Sequence, residues 1–189
     1  LLKSDVIVAM SQQSISELKD VDFPLARILV TPNGIPVHST GKANYFSKNK
    51  KCKVVFVGRL MPQKGLVDLL YAWKDIRNIG MLAKLEIWGV GELEPELLEL
   101  SYKLNIDDSI VFRGYVDKVN TKLATMDIFV LPSYAEGNSN AILEAMTAGL
   151  PIISTRVGGT AMMIGDKGEE LLFDAGDREA LKENIILLI

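Results

Sequence analysis

The sequence predicts an α/β fold, a Rossmann-like parallel sheet with helices on both faces. Short continuous apolar runs, Val54-Val-Phe-Val57 and Ile128-Phe-Val-Leu131 among them, have the character of strands buried on both faces, as in parallel sheets. Between such runs lie segments of helical period, such as residues 66–76, which place Leu66, Leu69, Leu70 and Trp73 on one face. Strand and helix alternate along most of the chain, and that order calls for right-handed crossovers.

Taken in order, residues 5–10 alternate toward a buried strand, and residues 11–19 have helical character opened by Ser11. A short strand at 28–31 ends in the Pro32-Asn33-Gly34 turn. Residues 35–53 carry little apolar periodicity and cluster Ser, Asn, Gly and Lys, which makes them the best linker candidate. From Val54 the pattern is regular. The strand at 54–57 turns at Gly58-Arg59-Leu60, passes Lys64-Gly65 and enters the helix at 66–76. A strand at 84–88 leads to Gly89-Val90-Gly91 and a helix at about 92–104. The strand at 110–112 ends in Gly114-Tyr115-Val116, and a helix around 118–125 precedes the strand at Ile128. Residues 132–159 then form a loop, a helix, a buried strand and a second glycine loop. Ser139 or Asn138 can cap that helix, at about 140–148, and Gly149 and Pro151 stop it. A strand at Ile152, a short strand at Leu171 and a helix from Asp177 complete the order.

Composition removes several function classes. The 189 residues suit one domain, or one domain with a piece of another, and 48% apolar with 24% charged is an ordinary soluble balance. A net charge of -3 gives no electrostatic case for nucleic acid or an anionic membrane. The single cysteine, Cys52, excludes a disulfide framework and suits a reducing compartment. The single histidine, His38, lies in the linker-like stretch, so Cys–His catalysis and Cys/His metal sites are excluded by count and no metal is expected. No apolar run nears the roughly 18 residues of a membrane span, and no signal peptide is visible. The opening Leu-Leu-Lys-Ser-Asp and the closing Ile-Ile-Leu-Leu-Ile suggest a fragment whose last helix is truncated. Trp73 and Trp88 are expected in the core. The Lys48-Asn-Lys-Lys51 run is expected as a solvated loop, which in a longer protein could approach anionic lipid.

The chemistry gathers at the strand ends. In an open parallel sheet the ligand sits beyond the carboxyl ends of the strands. There the sequence puts Gly58-Arg59, Gly89, Gly114 to Val116, residues 133–140 and residues 156–160. Arg59 and Lys64 bring positive charge, and the helix at 140 offers unpaired N–H groups to an anion. Glu144, about one turn into that helix beside Asn140, Ala141 and Ala148, can take two hydrogen bonds from a ribose diol. Glu136, in the preceding loop, faces whatever the phosphate carries. A diphosphate held by cations and a helix end, with an acid for each attached sugar, describes a nucleotide-sugar site.

These residues resemble a known family. Gly58-Arg59-Leu60 with Lys64-Gly65, Glu136-Gly137 with Glu144 after seven residues, and Ala145-Met146 with Gly149-Leu-Pro151 are similar to the retaining glycosyltransferases of the GT-B fold, and more narrowly to the group with the E-x7-E motif. Asp5-Val-Ile-Val, Val30-Thr-Pro-Asn-Gly34 and Phe112-Arg-Gly114 match as well. The resemblance implies residues 1–37 as the tail of an N-terminal acceptor-side domain and residues 38–189 as the donor-binding domain. It implies Arg59 and Lys64 on the donor diphosphate, Glu144 on the ribose and Glu136 at the transferred sugar and its departing phosphate. The backbone at Val116 would lie near the base, and that of Asn140 and Ala141 near the distal phosphate. The donor would be a UDP-sugar. A glycan or lipid-linked acceptor would be held by the missing N-terminal domain, in the cytoplasm at the inner face of the membrane. Two departures stand out: Asn138-Ser139 where the family often has Phe-Gly, and Met162 where a glutamate is common.

No nucleophile is evident, so the family's front-face mechanism is expected, with the leaving phosphate accepting the proton and pre-placed donors stabilising its charge. The rivals are a two-carboxylate glycosidase, a nucleotide-sugar epimerase or a phosphorylase on a related fold, and a non-catalytic nucleotide-sugar binding module. The Arg/Lys pair and the helix-end phosphate site speak against the glycosidase.

Overall fold

The structure, a computed structural model, describes residues 5–9, 15, 27–31, 33–35 and 51–189. Strands β1 (Ile7–Ala9) and β2 (Ile28–Val30) pair in parallel as a small sheet of their own. The main sheet holds β3 (Cys52–Val57), β4 (Ala83–Trp88), β5 (Ile110–Gly114), β6 (Ile128–Leu131), β7 (Ile152–Thr155) and β8 (Leu172–Phe173). Its order is β5-β4-β3-β6-β7-β8, and every pair is parallel. The chain builds outward from β3 to β5, then returns to β6 on the other side of β3. That reversal opens a crevice beyond the carboxyl ends of β3 and β6.

The strands follow from their apolar runs. Val54, Val55 and Phe56 are fully buried, as are Ile128, Phe129 and Val130, because helices cover both faces of the central strands. The helices among the described residues are α1 (Leu66–Asn78), α2 (Glu94–Lys103), α3 (Val119–Leu123), α4 (Asn140–Thr147), α5 (Thr160–Ile164) and α6 (Arg178–Leu188). Leu66, Leu69, Leu70 and Trp73 of α1 all face the core, and the Trp73 indole N–H donates to Ser109 Oγ at 3.0 Å. Asp177 caps α6 by accepting from the Ala180 N–H at 3.0 Å.

Several expectations need correction. The linker candidate at 35–53 overruns its end, since Cys52 and Lys53 pair with Ala83 and Lys84 as the first residues of β3. A lysine-rich approach hid a strand whose opening residue, Cys52, is buried. Helix α5 follows Gly158-Gly159, where only a loop was expected, because five residues are too few to show a period. Ser139 occupies the position before α4, yet its side chain makes no capping hydrogen bond. Residues 11–14 and 16–19 of the expected first helix, Pro32, His38, the 48–50 lysine run and the expected domain boundary at 37/38 lie outside the described residues. Ile15 is helical.

Candidate functional site

The site is assembled by loops that lace the strand ends together. The Gly58 N–H donates to Trp88 O at 3.0 Å, Leu60 N–H to Val90 O at 3.1 Å, and Gly89 N–H to Gly114 O at 2.7 Å. A Cβ on Gly89 would lie 1.8 Å from Gly58 O, at a φ of +142°. Glycine here lets two loops touch backbone to backbone; it fixes the rim on which Arg59 stands. Tyr134 N–H donates to Gln63 O at 2.7 Å, which ties the loop after β3 to the loop after β6.

Two expected site residues meet directly. Lys64 Nζ sits 2.6 Å from Glu136 Oε1, and Ser133 Oγ donates to the same oxygen at 2.7 Å. The two side chains keep only 15% and 9% of their surface exposed. Lys64 comes from the turn before α1 and Glu136 from the loop before α4, so the pair bridges the mouth of the crevice. Sequence reading gave these residues separate partners; the structure makes them each other's. Arg59 is different. It is exposed, and among the described residues no hydrogen bond or ion pair holds its side chain.

Asn140 opens α4 at the same rim and accepts a hydrogen bond from Asn33 Nδ2 at 2.9 Å. Asn33, read in sequence as part of a turn and of the matching segment Val30-Thr-Pro-Asn-Gly34 but given no role, thus reaches the helix beside the site. With no side-chain cap on α4, its first N–H groups are left to solvent or to a ligand.

Glu144 lies on the wall of a cavity of about 490 Å³, together with Val116, Val119 and Asn120. A neighbouring hollow of about 260 Å³ is lined by Gly58, Arg59, Trp88, Gly89 and Val116. Gly58, Arg59, Gly89, Val116 and Glu144 therefore share one edge of the sheet, and Ala141 stands next to Asn140 at the start of α4. Trp88, expected in the core, is buried and still forms part of a wall. Among the described residues no group of His, Cys, Asp and Glu could hold a metal ion. No described helix is long and apolar enough to cross a membrane.

Burial pushes the Glu144 carboxyl above its ordinary value of 4.5, with no cation to offset it. A carboxyl whose folded pKa lies above its unfolded one binds its proton more tightly when folded. Stability from this group is therefore lost as pH rises through that interval. Glu144→Gln should raise Tm at about pH 7.5 and leave it unchanged at about pH 3.5, where both states are protonated. Thermal unfolding of the two proteins at both pH values checks this; a lower Tm at the higher pH would mean that Glu144 is an ordinary structural acid.

Two networks escaped sequence reading. Asp68 of α1 accepts from Tyr134 Oη and from Arg178 Nε, and the Arg178 guanidinium lies 4.6 Å from the Tyr71 ring centre. This anchors the loop of Glu136 to α1 and α6. Buried Glu86 accepts from Arg113 Nε and Nη2, both at 3.1 Å, and from the Trp88 indole at 2.9 Å. Desolvation alone would raise its pKa, but Arg113 and Trp88 together hold the Glu86 carboxyl below its usual value.

Comparison with known proteins bears on this geometry. The family described as glycosyl transferases group 1 matches residues 51–189. N-acetyl-alpha-D-glucosaminyl L-malate synthase of Bacillus anthracis is 30% identical over 196 residues, covering 99% of this chain and 51% of that protein. Of solved structures, Anabaena HepE in complex with UDP and glucose superposes with a TM-score of 0.81 at 20% identity, over 97% of this chain and 53% of that one. A Staphylococcus aureus TarM variant in complex with UDP gives a TM-score of 0.83 at 16% identity, over 99% of this chain and 37% of the other. At these identities the two structures speak for the fold alone. The chain spans about half the length of the Bacillus relative.

Proposed function

This chain belongs to the glycosyl transferases group 1 family, and from that premise we propose that it supplies the donor site for hexosyl transfer from a nucleoside-diphosphate sugar, with retention of configuration, to a glycan or lipid-linked acceptor. The observation that carries the reading is the joint placement of Arg59, the Lys64–Glu136 pair, the uncapped start of α4 and the Glu144 cavity along one edge of the sheet. Residues 1–37 would belong to an acceptor-side domain. UDP is the proposed carrier, in keeping with the UDP in the HepE and TarM complexes. The reading needs no metal and places the enzyme in the cytoplasm, at the inner face of the membrane.

In this account Arg59 and Lys64 meet the diphosphate, and Glu144 takes the ribose diol. The bond from the sugar C1 to the diphosphate oxygen breaks while the acceptor oxygen bonds to C1 on the same face. The acceptor proton passes to the leaving phosphate. Pre-placed positive charge then stabilises the departing diphosphate without rearrangement at the moment of transfer. Glu136 holds Lys64 beside the sugar and steadies it, so its contribution grows in the transition state.

A thermal-shift panel with UDP, GDP and ADP tests donor binding in this chain. A rise in Tm with one of them and no transfer by the chain alone is the expected result. In a longer protein carrying the acceptor domain, Glu136→Gln should lower kcat by about 100-fold or more, the scale for losing a positioned electrostatic group, and change nucleotide affinity little. Loss of nucleotide binding with kcat preserved would assign Glu136 to the nucleoside instead.

A further inference from the structure

Lys53, Glu86 and Trp88 fall on one face of the sheet. The parallel register sets Lys53 opposite Lys84, Val55 opposite Glu86 and Val57 opposite Trp88, and side chains alternate along each strand. At β5 the register slips: Phe112 lies opposite Ile87 and Gly114 opposite Trp88, so Arg113 has no partner in β4. A slip of this kind re-aims a side chain. Here the guanidinium turns to Glu86, which it meets through Nε and Nη2. A cavity of about 350 Å³ opens over this face, and Lys122, Thr125 and Met126, from α3 and the turn after it, line it too. It shares Trp88 and Tyr115 with the hollow beside Arg59. Its other end is far from that rim, since Lys53 precedes Gly58 by five residues, roughly 16 Å along a strand.

Three cationic side chains, Lys53, Arg113 and Lys122, line this cavity against one carboxylate, Glu86. The chain as a whole carries a net charge of -3. The carboxylate is already occupied by Arg113 and the Trp88 indole. Against the desolvation that would raise the Glu86 pKa, Arg113, Trp88 and Lys53 all act to lower it, so the Lys53 charge is felt at the same group. Neither the Lys53 nor the Lys122 ammonium has an ion pair among the described residues, and Arg113 Nη1 has no protein partner among them. A pair placed for stability would end with Arg113 and Glu86; two more unpaired cations in one hollow only repel. The excess of two positive charges matches a compact dianion. A phosphate monoester carries about -1.5 to -2 near neutral pH, and a guanidinium fork with lysine ammonium groups is suited to hold it. Buried Trp88 and Met126 offer an apolar wall to whatever the phosphate is attached to.

We propose that this cavity is a second anion site, in which Lys53, Arg113 and Lys122 bind a phosphate dianion, free or on a small monoester, while Glu86 holds the guanidinium in place. The site lies outside the donor reading and does not depend on it.

The test follows the two tryptophan indole N–H signals by NMR as phenyl phosphate or inorganic phosphate is added at about pH 7.5, where the ester is largely a dianion. The Trp88 signal, assigned with Trp88→Phe, should shift and saturate, because its N–H rests on the carboxylate that Arg113 shares. The Trp73 signal should stay, since that indole is bonded to Ser109 in the core. Lys53→Met and Lys122→Met should each weaken binding about tenfold or more, the scale of a hydrogen bond to a charged group, while Arg59→Ala leaves it unchanged. Tighter binding of phenyl phosphate marks an ester site and equal binding a site for the free ion; both uphold the anion site. An unmoved Trp88 signal would overturn the proposal, as would lysine variants that bind like wild type. A loss confined to Arg59→Ala would also overturn it, by placing the phosphate at the donor edge. A chain that binds UDP but shows none of the expected responses keeps its donor site and loses this one.

Discussion

Lys64→Ala is expected to lower folding stability by roughly 3–5 kcal/mol, the scale for stranding one member of a buried ion pair. For a chain of this size that is a fall in Tm of about 10 °C. The reason is Glu136: with Lys64 gone, a carboxylate only 9% exposed keeps one partner, the Ser133 hydroxyl. Arg59→Ala should change stability by no more than about 0.5 kcal/mol, since the side chain is exposed and unpaired among the described residues. The sequence motif treats the two cations alike, and the structure separates them. The double variant Lys64→Met/Glu136→Gln should recover much of the loss, because it removes the stranded charge along with its partner. Chemical denaturation of the four proteins measures this. Equal stability of Lys64→Ala and Arg59→Ala would mean that the pair is solvated in solution.

Gly158→Ala is the second large effect. A Cβ there would lie 1.7 Å from Glu136 O and 2.7 Å from the Glu136 carbonyl carbon, at a φ of +57°. Both neighbours are backbone, so the loop that carries Glu136 must move. The strained φ and the forced displacement together should cost about 2–4 kcal/mol, and Glu136 should lose its place beside Lys64. Gly149 gives the control: its φ is +72°, but a Cβ there meets nothing within 4 Å. Gly149→Ala should therefore cost only the conformational share, about 1–2 kcal/mol. A similar loss for both variants would show that the Gly158 loop relaxes freely and does not fix Glu136.

This pair of glycines marks where sequence reading reaches and where it stops. The strands from Val54 onward were legible because burial on both faces leaves continuous apolar runs, and α1 because its core face repeats at helical spacing. The strand order and the crevice then follow from parallel connections, and the rim residues from the strand ends. Contacts between distant residues left no such trace. Lys64 and Glu136 are 72 positions apart, Asp68 and Arg178 are 110 apart, and Asn33 and Asn140 are 107 apart. Nothing in local period or composition pairs them. Cys52 and Lys53 were misread because a charged, polar approach masked the first turn of pairing in β3.

The Glu144 prediction has its counterpart in the Lys64 prediction. The desolvated Glu144 carboxyl should cost the free chain stability and be relieved by ligand, whereas the Lys64–Glu136 pair is satisfied without one. Ligand should therefore raise Tm mainly through the nucleoside end and the exposed Arg59, with the buried pair already in place.

The central claim is that one edge of this sheet binds a nucleoside diphosphate with its two ends read by different residues. Calorimetric titration of wild type, Arg59→Ala and Glu144→Gln with UDP and with uridine tests it most directly. Arg59→Ala should weaken UDP by about 10- to 100-fold, the scale of hydrogen bonds to a charged group, and leave uridine unchanged. Glu144→Gln should weaken both ligands by the same factor. Equal losses for UDP and uridine in Arg59→Ala, or unchanged affinity for both ligands in Glu144→Gln, would contradict the account.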